Sequence, residues 1–131
     1  MIIGSVSEDI KVEKRVALTP EILKKYKTLG LKICISKGYA SHIGFSDSEY
    51  QNEGVEVLNN KEEVILKSNI LIQMGIPSND DLKLLKENQT LIGVLNPYNN
   101  EEKLKNLISK KVNCFSLDLL PRITRAQSMD I

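Results

Sequence analysis

At 131 residues, 41% hydrophobic and 27% charged, the chain has the length of one domain with its own core and is too apolar for a disordered tail. Eighteen Lys and Arg against seventeen Asp and Glu leave a net charge of +1, so no field of one sign exists to gather nucleic acid or an anionic membrane. The longest apolar runs fall far short of the ~20 residues that span a bilayer, and Met1-Ile2-Ile3-Gly4 lacks the basic stretch of a secretory leader. In chain order, Met1 to Val6 is β-branched and apolar and reads as a buried strand. Thr19-Pro20-Glu21 then opens a helix with Thr19 as cap, a stripe of Ile22, Leu23, Tyr26 and Leu29, and Gly30 at its end. Leu31 to Ile35 is a strand, and Gly38 to His42 a loop. Ser46 or Asp47 caps a short helix through Tyr50 to Glu53, stopped by Gly54.

Val55 to Leu58 is a short strand, Lys61 to Lys67 a two-turn helix, and Asn69 to Met74 a strand ended by Gly75 and Pro77. Asp80 to Glu87 is helical and Thr90 to Leu95 a strand broken by Asn96-Pro97. Glu101 to Lys111 is a helix with Leu104, Leu107 and Ile108 inward, and Val112 to Leu120 a last strand closed by Pro121. Cys34 and Cys114 lie in strand-like runs and read as reduced, buried thiols of a cytosolic protein. Near-continuous apolar strands alternating with helices mean a parallel sheet covered on both faces. The expected fold is therefore α/β, an open doubly wound parallel sheet of Rossmann-like or flavodoxin-like kind. Such a domain usually carries a further helix after its last strand, so the chain reads as truncated at Ile131.

No Gly-x-Gly-x-x-Gly and no phosphate loop occurs. The turn Gly4-Ser5-Val6-Ser7-Glu8 has one glycine, so a dinucleotide site built wholly from these residues is not expected. His42, the one histidine, reads as a solvated loop residue, and no ligand spacing points to a metal. Glu62-Glu63, Asp80-Asp81 and Glu101-Glu102 fall in the first turns of helices, where acids complement the dipole. Two segments resist so plain an account. Glu8 to Pro20 follows the first strand, where a doubly wound fold places ligand contacts; Arg15 in it is either a bidentate clamp for a carboxylate or phosphate or an ordinary surface arginine. Pro121 to Asp130 gathers Arg122, Arg125, the Gln127 amide, the Thr124 and Ser128 hydroxyls and the Asp130 carboxylate just past a strand's carboxyl end. An amide beside guanidinium donors suits a carboxamide or phosphate ligand.

These segments also carry a likeness. Met1 to Pro20, ending Arg15-Val16-Ala17-Leu18-Thr19-Pro20, resembles the opening of the alanine dehydrogenase and nicotinamide nucleotide transhydrogenase family. Gly38-Tyr39-Ala40-Ser41 with Phe45-Ser46-Asp47, Tyr50 and Gly54 is similar to its next landmark. Pro121-Arg122-Ile123-Thr124-Arg125-Ala126-Gln127-Ser128-Met129-Asp130 closely resembles a motif of the transhydrogenase branch, at the start of the loop that there contacts the nicotinamide end of bound NAD(H). Alanine dehydrogenases carry a substrate-binding lysine on the strand corresponding to Asn69 to Met74, at the place of Gln73. They also carry a catalytic histidine after the next strand, where this chain reads Leu95-Asn96-Pro97. Gln73 has no charge to polarise a keto acid, and Asn96 cannot shuttle a proton near neutral pH.

The resemblance implies the N-terminal domain, residues 1–131, of the NAD(H)-binding alpha subunit of a proton-translocating NAD(P) transhydrogenase, which couples hydride transfer between NAD(H) and NADP(H) to proton movement across a membrane. The glycine-rich NAD-binding domain would follow residue 131, and NADP(H) would lie on a partner domain. Its partners would be the NADP(H)-binding and membrane-spanning components, with a homodimeric NAD(H)-binding component held peripherally on the cytoplasmic side of the inner membrane; the piece alone would be inactive. On the family pattern Arg122 and Gln127 fix the nicotinamide carboxamide and neighbouring groups, and Asp130 joins their hydrogen bonds. Arg125 and Ser128 match the motif without a separate role, and Arg15 is a weaker cofactor contact. No acid–base catalyst and no metal are implied. An alanine dehydrogenase-like amino-acid oxidoreductase and a non-catalytic α/β binding module stay open beside this reading.

Overall fold

In the computed structural model, which describes residues 1–119, the apolar opening run forms β1 (Ile2–Ser5), an interior strand. The remaining elements follow as α1 (Pro20–Thr28), β2 (Lys32–Ser36), α2 (Asp47–Asn52), β3 (Glu56–Leu58), α3 (Lys61–Lys67), β4 (Ile70–Ile72), α4 (Asn79–Leu84), β5 (Thr90–Gly93), α5 (Glu101–Ser109) and β6 (Asn113–Ser116). All strand pairs are parallel, in the order β3-β2-β1-β4-β5-β6. This is the dinucleotide-fold order rather than the flavodoxin order, two variants that the strand and helix pattern alone does not separate.

Local chemistry starts the helices where the sequence places them. The side chains of Ser46, Asn60 and Ser78 accept hydrogen bonds from the backbone N–H of Glu49, Glu63 and Asp81, and each helix has acids in its first turn. Thr19 is extended at the start of α1, but its hydroxyl makes no capping bond; Pro20, already fixed in φ, sets the first turn. Some expectations need correction. Leu29 lies past the end of α1 and is 71% exposed, and Ile108 is turned outward at 63% while Leu104 and Leu107 carry the buried stripe of α5. Helix α4 stops at Leu84, because Leu85 adopts an extended conformation that sinks its side chain into the core. Strand β6 ends at Ser116, and Leu117–Leu119 form a 3-10 turn; Cys114 is only half-buried, whereas Cys34 is buried.

The sheet has a core on each face. Leu23 of α1 and Tyr50 of α2 pack with Ile3, Ile33 and Ile35 on one side. Val64 and Ile65 of α3, Leu82 of α4 and Leu104 and Leu107 of α5 pack with Cys34, Leu71 and Leu91 on the other. Close approach requires glycine at two positions: a Cβ on Gly4 would lie 1.8 Å from Ser68 Oγ, and one on Gly93 would lie 2.5 Å from the Gln73 carbonyl oxygen. The register of β5 and β6 turns Ile92 and Phe115 toward the α1 face, where Phe115 is 58% exposed and no described helix shields it. Because the helices change face between β1 and β4, the crevice of this fold opens at the carboxyl ends of those strands.

Candidate functional site

The chain leaving β1 runs as a long loop to Thr19, and contacts from later segments hold it at several points. Ser7 donates its backbone N–H to Ser36 Oγ (3.0 Å), at the end of β2. Asp9 folds the tip, its carbonyl accepting from Val12 and Glu13 and its carboxylate from the Lys11 N–H. His42 Nε2 lies 2.7 Å from the Lys14 carbonyl. At the far end Tyr39 Oη accepts from the N–H groups of Ala17 (3.1 Å) and Leu18 (3.2 Å), while Tyr50 Oη donates to the Leu18 carbonyl (2.8 Å). The two tyrosine rings meet edge to face, 5.7 Å apart at 84°.

These contacts fix the proton positions. With both acceptor sites of Tyr39 Oη taken by N–H donors, its own O–H donates to Ser5 Oγ (2.7 Å), and the Ser5 hydroxyl donates to the Ile72 carbonyl (2.6 Å). Beside them Gln73 is 2% exposed, and its amide pairs with one residue twice: Oε1 accepts from Val6 N–H (2.7 Å) and Nε2 donates to Val6 O (3.0 Å). The second Nε2 proton goes to Glu8 Oε2 (2.7 Å). The Glu8 carboxylate also accepts from the backbone N–H of Met74 (2.8 Å) and Gly75 (3.3 Å). Burial pushes the Glu8 carboxyl above its ordinary range, with the nearby Glu13 charge adding to it, against the lowering pull of those three donors. Burial likewise pushes the Tyr39 phenol up to about 12.

Outside this network lies an open cleft of about 410 Å³ lined by Lys14, Arg15, Val16, Thr19, Ile43 and Met74. Arg15, the described candidate contact, sits on its rim and is 63% exposed at the side chain. Its guanidinium already makes a two-point contact with Glu13, Nε to Oε1 at 2.6 Å and Nη2 to Oε2 at 3.2 Å. That partner holds the Glu13 carboxyl below its usual range. A carboxylate or phosphate ligand would have to displace Glu13 to use Arg15. Gln73 is buried and both ends of its amide are bonded to Val6 and Glu8 within the fold, so its polar atoms are engaged internally rather than turned to a ligand. Asn96 is exposed at the end of β5 in the left-handed region (φ 47°), its N–H donating to Asp118 Oδ2 (3.1 Å). Arg122, Arg125, Gln127, Ser128 and Asp130 lie outside the described residues.

The described residues do not fit the pyrophosphate of a dinucleotide. The turn after β1 lacks the further glycines, and the loop that follows it carries the Glu8 carboxylate, whose negative charge is turned inward onto the backbone N–H groups of Met74 and Gly75. Among these residues no group of three or more His, Cys, Asp and Glu side chains could hold a metal ion, and no helix is long and apolar enough to cross a membrane. The sequence pattern missed the Ser5–Tyr39–Gln73–Glu8 network; its one visible sign is polar residues in otherwise apolar strand runs.

Comparison with known proteins gives a consistent answer. Residues 4–131 match the family described as alanine dehydrogenase/PNT, N-terminal domain. Over 130 residues the chain is 35% identical to NAD(P) transhydrogenase subunit alpha of Cereibacter sphaeroides, covering 99% of this chain and 25% of the relative. Over 130 residues it is 29% identical to NAD(P) transhydrogenase subunit alpha of Haemophilus influenzae, again covering 99% of this chain and 25% of that protein. The crystal structure of transhydrogenase from Sinorhizobium meliloti superposes with a TM-score of 0.91 at 29% identity, over 99% of this chain and 39% of that one. The chain thus spans well under half the length of the relatives it matches.

Proposed function

This chain belongs to the alanine dehydrogenase/PNT N-terminal domain family, and from that premise we propose that it serves as the N-terminal part of the NAD(H)-binding alpha subunit of a proton-translocating NAD(P) transhydrogenase. The observation that carries this choice within the family is the carboxyl end of β5. There the exposed Asn96 offers no group that exchanges a proton near neutral pH. An amino-acid oxidoreductase needs such a group; direct hydride transfer between two nicotinamides does not, and asks of the protein only proximity and orientation. Glu8 does not fill the gap, since its carboxylate already accepts three N–H donors.

NAD(H), when bound, supplies the hydride chemistry. Its phosphates belong to a glycine-rich domain following residue 131, because the turn after β1 does not receive them. Arg122 and Gln127 hold the carboxamide end, with Asp130 in their hydrogen-bond network, and Arg125 and Ser128 complete the motif. NADP(H) sits on a partner component, the membrane-spanning component moves the proton, and a homodimer of the NAD(H)-binding component lies peripheral to the inner membrane. Arg15 favours a second reading, an alanine dehydrogenase-like enzyme, because a guanidinium on the cleft rim suits a substrate carboxylate.

Hydride-transfer kinetics in the complete protein test the proposal. Gln127→Ala is expected to slow transfer between NADH and an NADP analogue far more than it lowers the unfolding midpoint. Equal losses of rate and stability would remove the role of Gln127, and pyruvate-plus-ammonium-dependent NADH oxidation would favour the second reading.

A further inference from the structure

The crevice between β1 and β4, where a doubly wound sheet ordinarily admits its ligand, is occupied here by the protein's own side chains. The β1–β4 backbone pairing covers Ile3 with Ile70 and Gly4 with Leu71. Beyond it the Gln73 amide takes over the pairing with Val6, and the Glu8 carboxylate spans from the loop to the backbone of Met74 and Gly75. Met74 is the residue so held, and it contributes to the lining of the open cleft with Lys14, Val16 and Thr19. A Cβ on Gly75 would come 3.8 Å from Glu8 Oε1, so the carboxylate lies directly against this turn. Nothing else among the described residues bonds these two N–H groups.

We propose that Glu8 is a positioning residue: it closes the crevice from inside and sets the cleft wall through Met74, so that a ligand seats on the outer side of the loop rather than between the strands. The effect on hydride transfer rests on the functional reading above; the clamp itself does not. Burial of the carboxylate disfavours its charge more than its three donors favour it, so the clamp holds a group that is easier to protonate than an ordinary glutamate. The charged or titratable groups facing it are Glu13, whose charge raises it further, and the Tyr39 phenol, which its own charge pushes up. When Glu8 is protonated it becomes a donor at one oxygen, and Met74 and Gly75 lose part of their acceptor.

The test is a pH titration of the backbone amide resonances of this chain by NMR. Met74 and Gly75 are expected to shift together, with a midpoint above 4.5, and to stay flat in Glu8→Gln while amides in β2 and β5 are unmoved. No titration of these two amides in the wild type between about pH 3.5 and 8, or the same titration in Glu8→Gln, overturns the clamp; the wild-type arm needs no variant, so a Glu8→Gln chain that fails to fold leaves the question decidable. In the complete protein Glu8→Gln, which keeps one accepting oxygen of the two, is expected to lower Tm and, in the folded enzyme, to raise the nucleotide KM and lower kcat at least fivefold. Unaltered kinetics would overturn the positioning role. A wild type without transhydrogenation would remove the functional reading and leave the amide titration standing.

Discussion

The Tyr39 hydroxyl makes three hydrogen bonds within the site, and its removal has a calculable cost. In Tyr39→Phe the ring stays, fully buried and edge-on to Tyr50, so packing changes little. What goes is the acceptor for Ala17 and Leu18 N–H and the donor to Ser5 Oγ. A buried N–H left without a partner costs about 1–3 kcal/mol, and the buried Leu18 amide meets that description; the part-buried Ala17 amide adds less. Ser5 keeps its bond to the Ile72 carbonyl and adds little. The sum is roughly 2–4 kcal/mol, or a fall in Tm of roughly 6–16 °C for a domain of this length. Urea unfolding should show the midpoint falling with its slope preserved. Tyr50→Phe is the internal control: it orphans one buried group, the Leu18 carbonyl, and should cost about 1–2 kcal/mol, in the lower part of the range for an unsatisfied buried group because an unpaired carbonyl is better tolerated than an unpaired N–H. A Tyr39→Phe loss no larger than that of Tyr50→Phe would refute the reasoning, since water would then be reaching the Leu18 amide.

Other outcomes follow from the same contacts. The Tyr39 phenol is pushed up to about 12 by burial, so the unfolded chain ionises first as pH rises past about 10. The stability it confers is therefore full below about pH 10 and is lost as pH rises through about 12; the gap in urea midpoint between wild type and Tyr39→Phe should narrow over that window. Gly93→Ala drives a methyl into the Gln73 carbonyl, 2.5 Å away on rigid backbone, and should destabilise by roughly 2–3 kcal/mol, read by urea titration. Arg15→Ala breaks only an exposed ion pair with Glu13 and should leave the unfolding midpoint unchanged; a loss of ligand binding without a shift in midpoint would assign Arg15 to the ligand.

How much of this was legible in the sequence depends on the range of the interaction. Helix α3 begins and ends where its pattern says, because Asn60, the first-turn acids and the Val64-Ile65 pair act within a few residues of one another. Strand positions were legible for the same reason. Rotational phase at helix ends was not: Leu29 and Ile108 continue an apolar stripe on paper, but the chain leaves the helix or turns one residue away from the core. Sheet order is a property of crossovers, and the run of elements fits two doubly wound orders equally.

The site was least legible because its bonds are the longest in sequence. Gln73 and Val6 are separated by 67 positions, and no local signal joins them. Seen only as a substitution for a charged residue, Gln73 looks like a lost function; in the fold it is a structural gain. An amide carries a donor and an acceptor side by side, so it can meet both the N–H and the carbonyl of Val6 and continue the β1–β4 ladder after the backbone of β4 has turned away. A lysine could donate to Val6 O and to Glu8 but could not accept from Val6 N–H, which is buried. Gln73→Lys should therefore destabilise the chain by about 1–3 kcal/mol through that orphaned amide. Greater stability in Gln73→Lys would show that the Val6 N–H finds another acceptor and that the side-chain ladder is dispensable.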